Sequence, residues 1–315
     1  MMKKKKKLFI VLFSLFALFN VFAFIHAYKF THYSSASSSP RTKGPDELSS
    51  SEKIATLFAG VTNPKPRLTR FPAKEYQTIS LVHSDTIEAW SIPAANAKGI
   101  VILFHGYAGC KSDLLDPAAI FDSLGYSCVL VDFSGSGGSS GRITTLGVEE
   151  ADEVRYWVDH IHRTTPSLPI YLYGVSMGAV SILRSQALST LPVKAIILEC
   201  PFESLLSSIK NRFDMMSVPS FGFAQTLAFW GGVQHGFWAF SHNSCDYAKK
   251  VSCPTLLLYG RKDRKVTMEE TQDIYSALRV KKELVIFDSA GHDDDIRVEK
   301  PKWISSISSF LEVNK

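Results

Sequence analysis

Few of the signatures that mark a metalloprotein, a redox protein or a nucleic-acid binder occur in this chain. The five cysteines, Cys110, Cys128, Cys200, Cys245 and Cys253, form no C-x-x-C pair and no metal-ligand spacing, which excludes a disulfide scaffold or a zinc module. They read as small buried apolar residues. Cys245 and Cys253 are the closest pair in sequence, the one candidate disulfide if the domain lies in an oxidising compartment. Positive charge is scarce too, because Lys3, Lys4, Lys5, Lys6 and Lys7 alone account for a net charge of +5. The remainder is near neutral, and nothing offers the basic footprint of a nucleic-acid partner. The glycine-rich stretch 132–141 follows a predicted strand, but no helix begins within it and no acidic residue ends the next strand. A dinucleotide site is therefore not expected there, and a structural loop is. No cofactor and no metal are implied.

Apolar residues are abundant at one end. After the five lysines, residues 8–25 form a run dominated by Leu, Phe, Val and Ala, long enough to approach the thickness of a bilayer. The run has no polar face, so a buried core helix is a poor reading. Residues 1–27 are expected to be a signal peptide or a signal anchor lying outside the fold, giving membrane association if uncleaved. Ala23 and Ala27 offer the small residue a signal peptidase requires, and both fates stay open. Lysines before such a segment remain cytoplasmic. The rest of the chain is expected to be exported, either membrane-anchored or periplasmic or secreted, on the non-cytoplasmic side. Residues 28–70 are expected to be a linker with a short helix: 34–51 is serine-rich and holds Pro40, Gly44 and Pro45, and 52–58 is the helical stretch.

Residues 71–315 read as a single α/β domain. Segments 76–82 and 86–92 alternate as an antiparallel hairpin with Ser84-Asp85 at the turn. Residues 100–104, Ile-Val-Ile-Leu-Phe, form a continuous apolar run typical of a parallel strand covered on both faces. Further strands are predicted at 127–131, 170–173, 195–199, 255–259 and 283–287. Helices alternate with them at 114–124, 148–161, 177–188, 268–278 and 298–311, one opened by a Thr267/Glu270 capping box. The pattern is a mostly parallel, doubly wound sheet with an antiparallel start.

Gly174-Val175-Ser176-Met177-Gly178 comes directly after the strand 170–173 and before a helix. That order gives a G-x-S-x-G match its meaning: a strained turn that holds a serine hydroxyl out at the top of a sheet. A serine is a weak nucleophile and needs a base, which needs an orienting acid. Asp263 follows one later strand and His292 the next, in the chain order serine, acid, histidine. The turn 105–109, after the strand 100–104, offers the Tyr107 N–H as an oxyanion donor beside the Met177 N–H at a helix start. His105 is read as bracing that turn rather than as a base. Glu199, one strand earlier than Asp263, is the rival acid. Asp293, Asp294 and Asp295 crowd His292 in sequence, whereas His83, His160, His162, His235 and His242 are assigned surface or packing roles.

Together these segments resemble the α/β-hydrolase superfamily, in its esterase, lysophospholipase and serine-aminopeptidase-like branch. The resemblance runs from about residue 76 to the end. It rests on His105-Gly106-Tyr107, the loop 132–141, residues 174–178, 199–202, 260–263 and Gly291-His292. It implies an α/β-hydrolase fold, Ser176 as nucleophile, Asp263 as acid, His292 as base, and Tyr107 and Met177 as oxyanion donors. Ser134 departs from the pattern, since relatives often carry arginine there. The family's insertion after the sixth strand corresponds to residues 203–247, rich in Phe, Trp and Met. These residues are expected to form a helical cap, either lining an apolar substrate pocket or gluing the cap to the core. The expected activity is hydrolysis of a small-molecule or lipid-like carboxylic ester or thioester through an acyl-enzyme. The alternatives are a serine peptidase of the aminopeptidase type and a non-catalytic, membrane-tethered binding module.

Overall fold

A computed structural model describes residues 2–35, 40–82, 84–292 and 295–315. The expectations for His83, Asp293, Asp294 and the middle of the serine-rich stretch fall outside the described residues. Eight strands, β1 (Gln77–Val82), β2 (Thr86–Ile92), β3 (Ile100–Phe104), β4 (Ser127–Asp132), β5 (Ile170–Val175), β6 (Ala195–Glu199), β7 (Thr255–Gly260) and β8 (Lys282–Phe287), form one sheet. Its order is β1-β2-β4-β3-β5-β6-β7-β8, with the β1–β2 and β2–β4 pairs antiparallel and the other pairs parallel. The apolar runs of β3, β5 and β6 are buried on both faces because helices cover each side.

One layer carries α4 (Glu150–Thr164), α5 (Met177–Leu188) and α9 (Met268–Ala277); the other carries α3 (Leu115–Ser123) and α10 (Asp295–Val313). Trp157 is fully buried under the first layer and Trp303 under the second. The Thr267/Glu270 capping box opens α9 as expected. The helix expected at 298–311 begins earlier and is kinked, with Glu299 non-helical just before Pro301. All five cysteines are free thiols, so the candidate Cys245–Cys253 bond is not formed.

The N-terminal segment departs from the expectation that it stands outside the fold. α1 (Met2–Thr31) is exposed along residues 3–16, yet it is partly buried from Phe19 onward, and Ala23 and Ala27 are buried. It packs along the cap helix α7 (Phe223–His235), where Ala224, Ala228 and Gly232 are buried. Phe19 meets Phe223 and Phe24 meets Trp230 edge to face, while Trp230 Nε1 donates to Asn20 Oδ1 at 3.1 Å. Past the helix the chain stays docked: Tyr33 N–H donates to the Arg142 carbonyl at 2.7 Å, and a capping box at Ser49 opens α2 (Ser50–Ala59). The physical reason is that small residues four apart let α1 approach α7 closely; a sequence apolar on almost every side does not display which face does so.

The loop after β4 is tied by charge. Lys111 is fully buried and pairs with Asp132 Oδ2 at 2.7 Å and with Glu88, while Asp132 also accepts the N–H groups of Lys111 and Gly138. This supports the structural reading of 132–141. The Ser134 backbone N–H donates to Glu153 at 3.0 Å. Burial, with the charge of Glu150 adding to it, pushes the Glu153 carboxyl up to about 8. A carboxyl raised in the folded state binds a proton that the unfolded chain releases above its own pKa of about 4.3. Stability is therefore full below that value and is lost as pH rises towards 8. Glu153→Gln is expected to remove the loss: the melting-temperature difference between Gln and Glu proteins should grow in favour of Gln from pH 5 to pH 8, and a constant difference would contradict it.

Candidate active site

Ser176 sits between β5 and α5 at φ 51° and ψ −111°, a conformation that L-residues rarely adopt. The flanking glycines make it possible. A Cβ on Gly178 would lie 2.4 Å from the Phe104 carbonyl oxygen, and one on Gly174 would lie 2.6 Å from the Gly178 carbonyl carbon. Both contacts are with backbone, which cannot swing aside. The Ser176 N–H donates to the Glu199 carbonyl at 2.8 Å, fastening the turn to β6.

The three residues singled out in the sequence come together. His292 Nε2 lies 3.1 Å from Ser176 Oγ, and His292 Nδ1 lies 2.7 Å from Asp263 Oδ2. An ionised carboxylate only accepts, so Nδ1 carries the proton and Nε2 is left to accept from the serine hydroxyl. The other Asp263 oxygen accepts the N–H groups of Lys265 at 2.7 Å and Val266 at 3.0 Å, which fixes the carboxylate. Asp263 and Ser176 are each 8% exposed, so the chain of hydrogen bonds is largely shielded from water. Glu199, the rival acid, accepts instead from Tyr173 Oη at 2.6 Å and Trp303 Nε1 at 3.3 Å, on the far side of the sheet.

Among the described residues, the backbone N–H groups of Tyr107 and Met177 donate to no protein acceptor. A Cβ on Gly106 would lie 3.6 Å from Ser176 Cβ, so the 105–109 turn abuts the serine. His105 braces that turn: Nδ1 donates to the Gly106 carbonyl at 2.8 Å and Nε2 accepts the Phe133 N–H at 3.2 Å. Two features had no signal in the sequence. Cys200 Sγ lies 3.8 Å from His292 Nε2, and Tyr107 is held by the N-terminal segment. Its ring stacks on Phe30 at 4.7 Å, its hydroxyl donates to the Phe30 carbonyl at 2.6 Å, and Asn63 donates to that hydroxyl at 2.8 Å. His242, assigned a packing role, is buried between Tyr247 Oη and the Leu146 carbonyl, where burial lowers it to about 4.

A cavity of about 800 Å³ opens over Ser176 and His292. Its walls include Phe30 and His26 of α1 with residues 41–48 and 61–63; Gly106 and Tyr107; the cap, through α6 (Leu205–Met216) and α7; and the segments holding residues 262–265 and 291–292. Leu205, Ile209, Phe213, Met215, Leu227 and Phe237 supply apolar lining. The expectation of a helical cap at 203–247 thus meets α6, α7 and the short α8 (Ser244–Ala248). Its apolar residues divide between the two roles considered, Ala228 and Ala239 packing the cap core and Phe213 facing the cavity.

Sheet, elbow and cap are those of the α/β-hydrolase fold, and the chain is similar to members of that superfamily. The family described as serine aminopeptidase, S33, matches residues 95–219. YqkD of Bacillus subtilis (strain 168) is 22% identical over 72% of this chain and 75% of its own length. The lysophosphatidylserine lipase ABHD12 of Macaca fascicularis is 26% identical over 58% of this chain, a region that makes up 46% of that relative's length. Among solved structures, an esterase of Pyrococcus furiosus superposes with a TM-score of 0.67 at 22% identity, covering 79% of this chain and 96% of that one. Est1E of Butyrivibrio proteoclasticus, solved with ferulic acid, gives 0.59 at 17% identity over 75% and 98% of the two chains. At these identities the structural likeness concerns the fold.

The strained turn generates a test. Ser176→Gly removes a backbone cost of about 1–3 kcal/mol against roughly 0.5–1 kcal/mol of added chain entropy in the unfolded state. Unfolding in denaturant is expected to show a net gain of about 1 kcal/mol, whereas Gly178→Ala, whose Cβ meets backbone, should lose on the order of 3 kcal/mol or fail to fold.

Proposed function

We propose that the protein is a serine hydrolase that cleaves carboxylic esters or thioesters of a lipid-like substrate. The observation that carries this reading is the unbroken hydrogen-bond chain Ser176–His292–Asp263 at the floor of the capped cavity. Ser176 Oγ attacks the ester carbonyl carbon as His292 Nε2 takes the hydroxyl proton. The negative charge that develops on the carbonyl oxygen is met by the Tyr107 and Met177 N–H groups. Donors of this kind are worth about 3–4 kcal/mol each in the transition state. His292 returns its proton to the departing alcohol or thiol, the acyl group stays on Ser176, and a water activated by the same imidazole releases the acid. Asp263 holds the imidazole in the tautomer both steps need.

The lipid-like substrate is supported by the apolar lining and by the cap's outer surface. Phe221 and Trp238 are 88% and 60% exposed on the cap. From its packed half α1 extends with its apolar side chains exposed along residues 8–16. At 1.5 Å per residue, the apolar residues 8–18 rise about 17 Å, roughly half the thickness of a hydrocarbon core, with Lys3–Lys7 beyond them. We read α1 as an uncleaved anchor whose outer half lies in the bilayer and whose inner half belongs to the cap. Cleavage after Ala23 or Ala27 would strip α7 of its cover and disturb Phe30, the brace of Tyr107.

Two measurements test this function. A fluorophosphonate probe is expected to label the wild type and not Ser176→Ala of equal melting temperature; equal labelling of both would sink the enzyme reading. Asp263→Asn, which permits the wrong histidine tautomer, should lower kcat by roughly 10⁴-fold on an aryl ester, and a greater loss in Glu199→Gln would reassign the acid. For the anchor, intact-mass analysis of membrane-derived protein should find residues 2–27 present. Deleting them should lower kcat/KM by roughly 10- to 100-fold, because small misplacements of an oxyanion loop are costly. A fully active truncated protein would show that the helix is dispensable.

A further inference from the structure

The charged residues of the cavity are strongly one-sided. Seven lysines and arginines line it, Arg41, Arg212, Lys262, Arg264 and Lys265 among them, against Asp46 and Glu47 as the acids among the described residues. Among the described residues, Arg41, Arg212, Lys262, Arg264 and Lys265 make no ion pair. Arg212 is the inner one. It projects from α6, half-buried, with Nη1 donating to the Ser208 carbonyl at 2.7 Å and to Ser208 Oγ at 2.6 Å. That pair of bonds fixes the guanidinium plane while Nε and Nη2 donate to nothing among the described residues.

The acids whose charge reaches Arg212 are Asp263 and Glu270. Asp263 is held by His292, Lys265 and Val266, and Glu270 Oε2 by Asn211 and Thr267. Arg41 enters from the N-terminal strap. Its Nη1 donates to the Ala108 carbonyl at 3.1 Å, and its guanidinium lies 5.8 Å from the centre of the Tyr107 ring, beside the oxyanion turn. Burial opposes the charge on Arg212, and the neighbouring charge of Arg41 opposes it further. Arg41 is exposed, so the cost falls on Arg212: a partly desolvated guanidinium that repels a second one and contacts no carboxylate among the described residues is poorly compensated by the protein alone. An anion between them reverses the sign.

We propose that Arg212 and Arg41 form a subsite for an anionic oxygen group, a phosphate or carboxylate, carried by the same molecule whose acyl ester reaches Ser176. This rests on the hydrolase reading of that site and names its substrate class: an acyl ester with a negatively charged head. A guanidinium with two free N–H directions suits the paired oxygens of a phosphate or carboxylate. A cavity of about 800 Å³ accommodates a head group and part of an acyl chain together. The same charge disfavours a substrate with a free ammonium end, which counts against an aminopeptidase.

The test measures binding, so that it does not depend on turnover. Full-length Ser176→Ala protein in nanodiscs is titrated with 1-oleoylglycerol, 1-oleoylglycerol 3-phosphate and glycerol 3-phosphate. The acyl phosphate is expected to bind at least tenfold more tightly than the neutral acylglycerol, and glycerol 3-phosphate more weakly than the acyl phosphate. Changing Arg212→Gln and Arg41→Gln together should bring the ratio of the two acyl ligands close to one. Arg212→Lys, which keeps the charge and guards against a folding defect, should retain part of it. Equal binding of the two acyl ligands would overturn the proposal. So would a ratio that survives the double Gln change, because the preference would then belong to Lys3–Lys7 at the membrane surface. Glycerol 3-phosphate binding as tightly as the acyl phosphate would overturn the joint site and assign a soluble anion. Failure of the hydrolase reading would register separately, as loss of fluorophosphonate labelling of the wild-type serine.

Discussion

A single strained residue sets the terms for the centre of this molecule. At φ 51° and ψ −111° Ser176 cannot relax unless α5 backs away from β3 and β5. It cannot back away, because α5 is buried along most of its length between the sheet and α4. Gly178 against Phe104 and Gly174 against the start of α5 are contacts between backbones, tight enough that no other residue fits. The strain is thus held by the packing of the first helical layer. Its consequence is geometric: Met177 N–H points out at a helix start, the hydroxyl stands clear of the sheet, and the ends of β7 and β8 lie within reach. Asp263 and His292 occupy those ends.

This explains why so much of the sheet and of the candidate site was legible in the sequence. Strands such as Ile100–Phe104 and Ala195–Glu199 are continuous apolar runs buried on both faces, and their limits are written in composition. The elbow is legible because its constraint is steric and local, and steric constraints select glycine at fixed offsets. Acid and base were legible only as chain order after strands. Glu199 satisfied the same criterion, and what separates it from Asp263 is tertiary: Tyr173 and Trp303 claim its carboxylate.

The N-terminal helix shows the opposite case. Hydropathy reveals an apolar segment and cannot reveal a face when Ser14 and Asn20 are its only polar residues. Ala23 and Ala27, which suggest a peptidase site in the bare sequence, are instead the small residues that let α1 settle on α7. The brace on Tyr107 by Phe30 and Asn63 joins residues that are 77 and 44 apart in the chain, and Lys111 gave no sign of its burial between Glu88 and Asp132. Contacts of this kind depend on which loops the topology brings together, and no local pattern encodes them.

The way the fold treats buried charge separates structural groups from the one we assign to a ligand. Lys111 receives two carboxylates. Glu150 has both oxygens filled by Thr144, Thr145 and Gly147. Glu153, with the Ser134 N–H as its described partner, is pushed up to about 8 and so escapes its predicament by keeping a proton at neutral pH. A guanidinium has no such escape, because it does not release its proton in the accessible range. Arg212 therefore keeps its charge inside the cap with two directions of hydrogen bonding unfilled among the described residues. Against charges such as Lys111, Glu150 and Glu153, which are met by partners or protonation, an arginine left in that condition beside the candidate nucleophile is accounted for by an anion that arrives with the substrate.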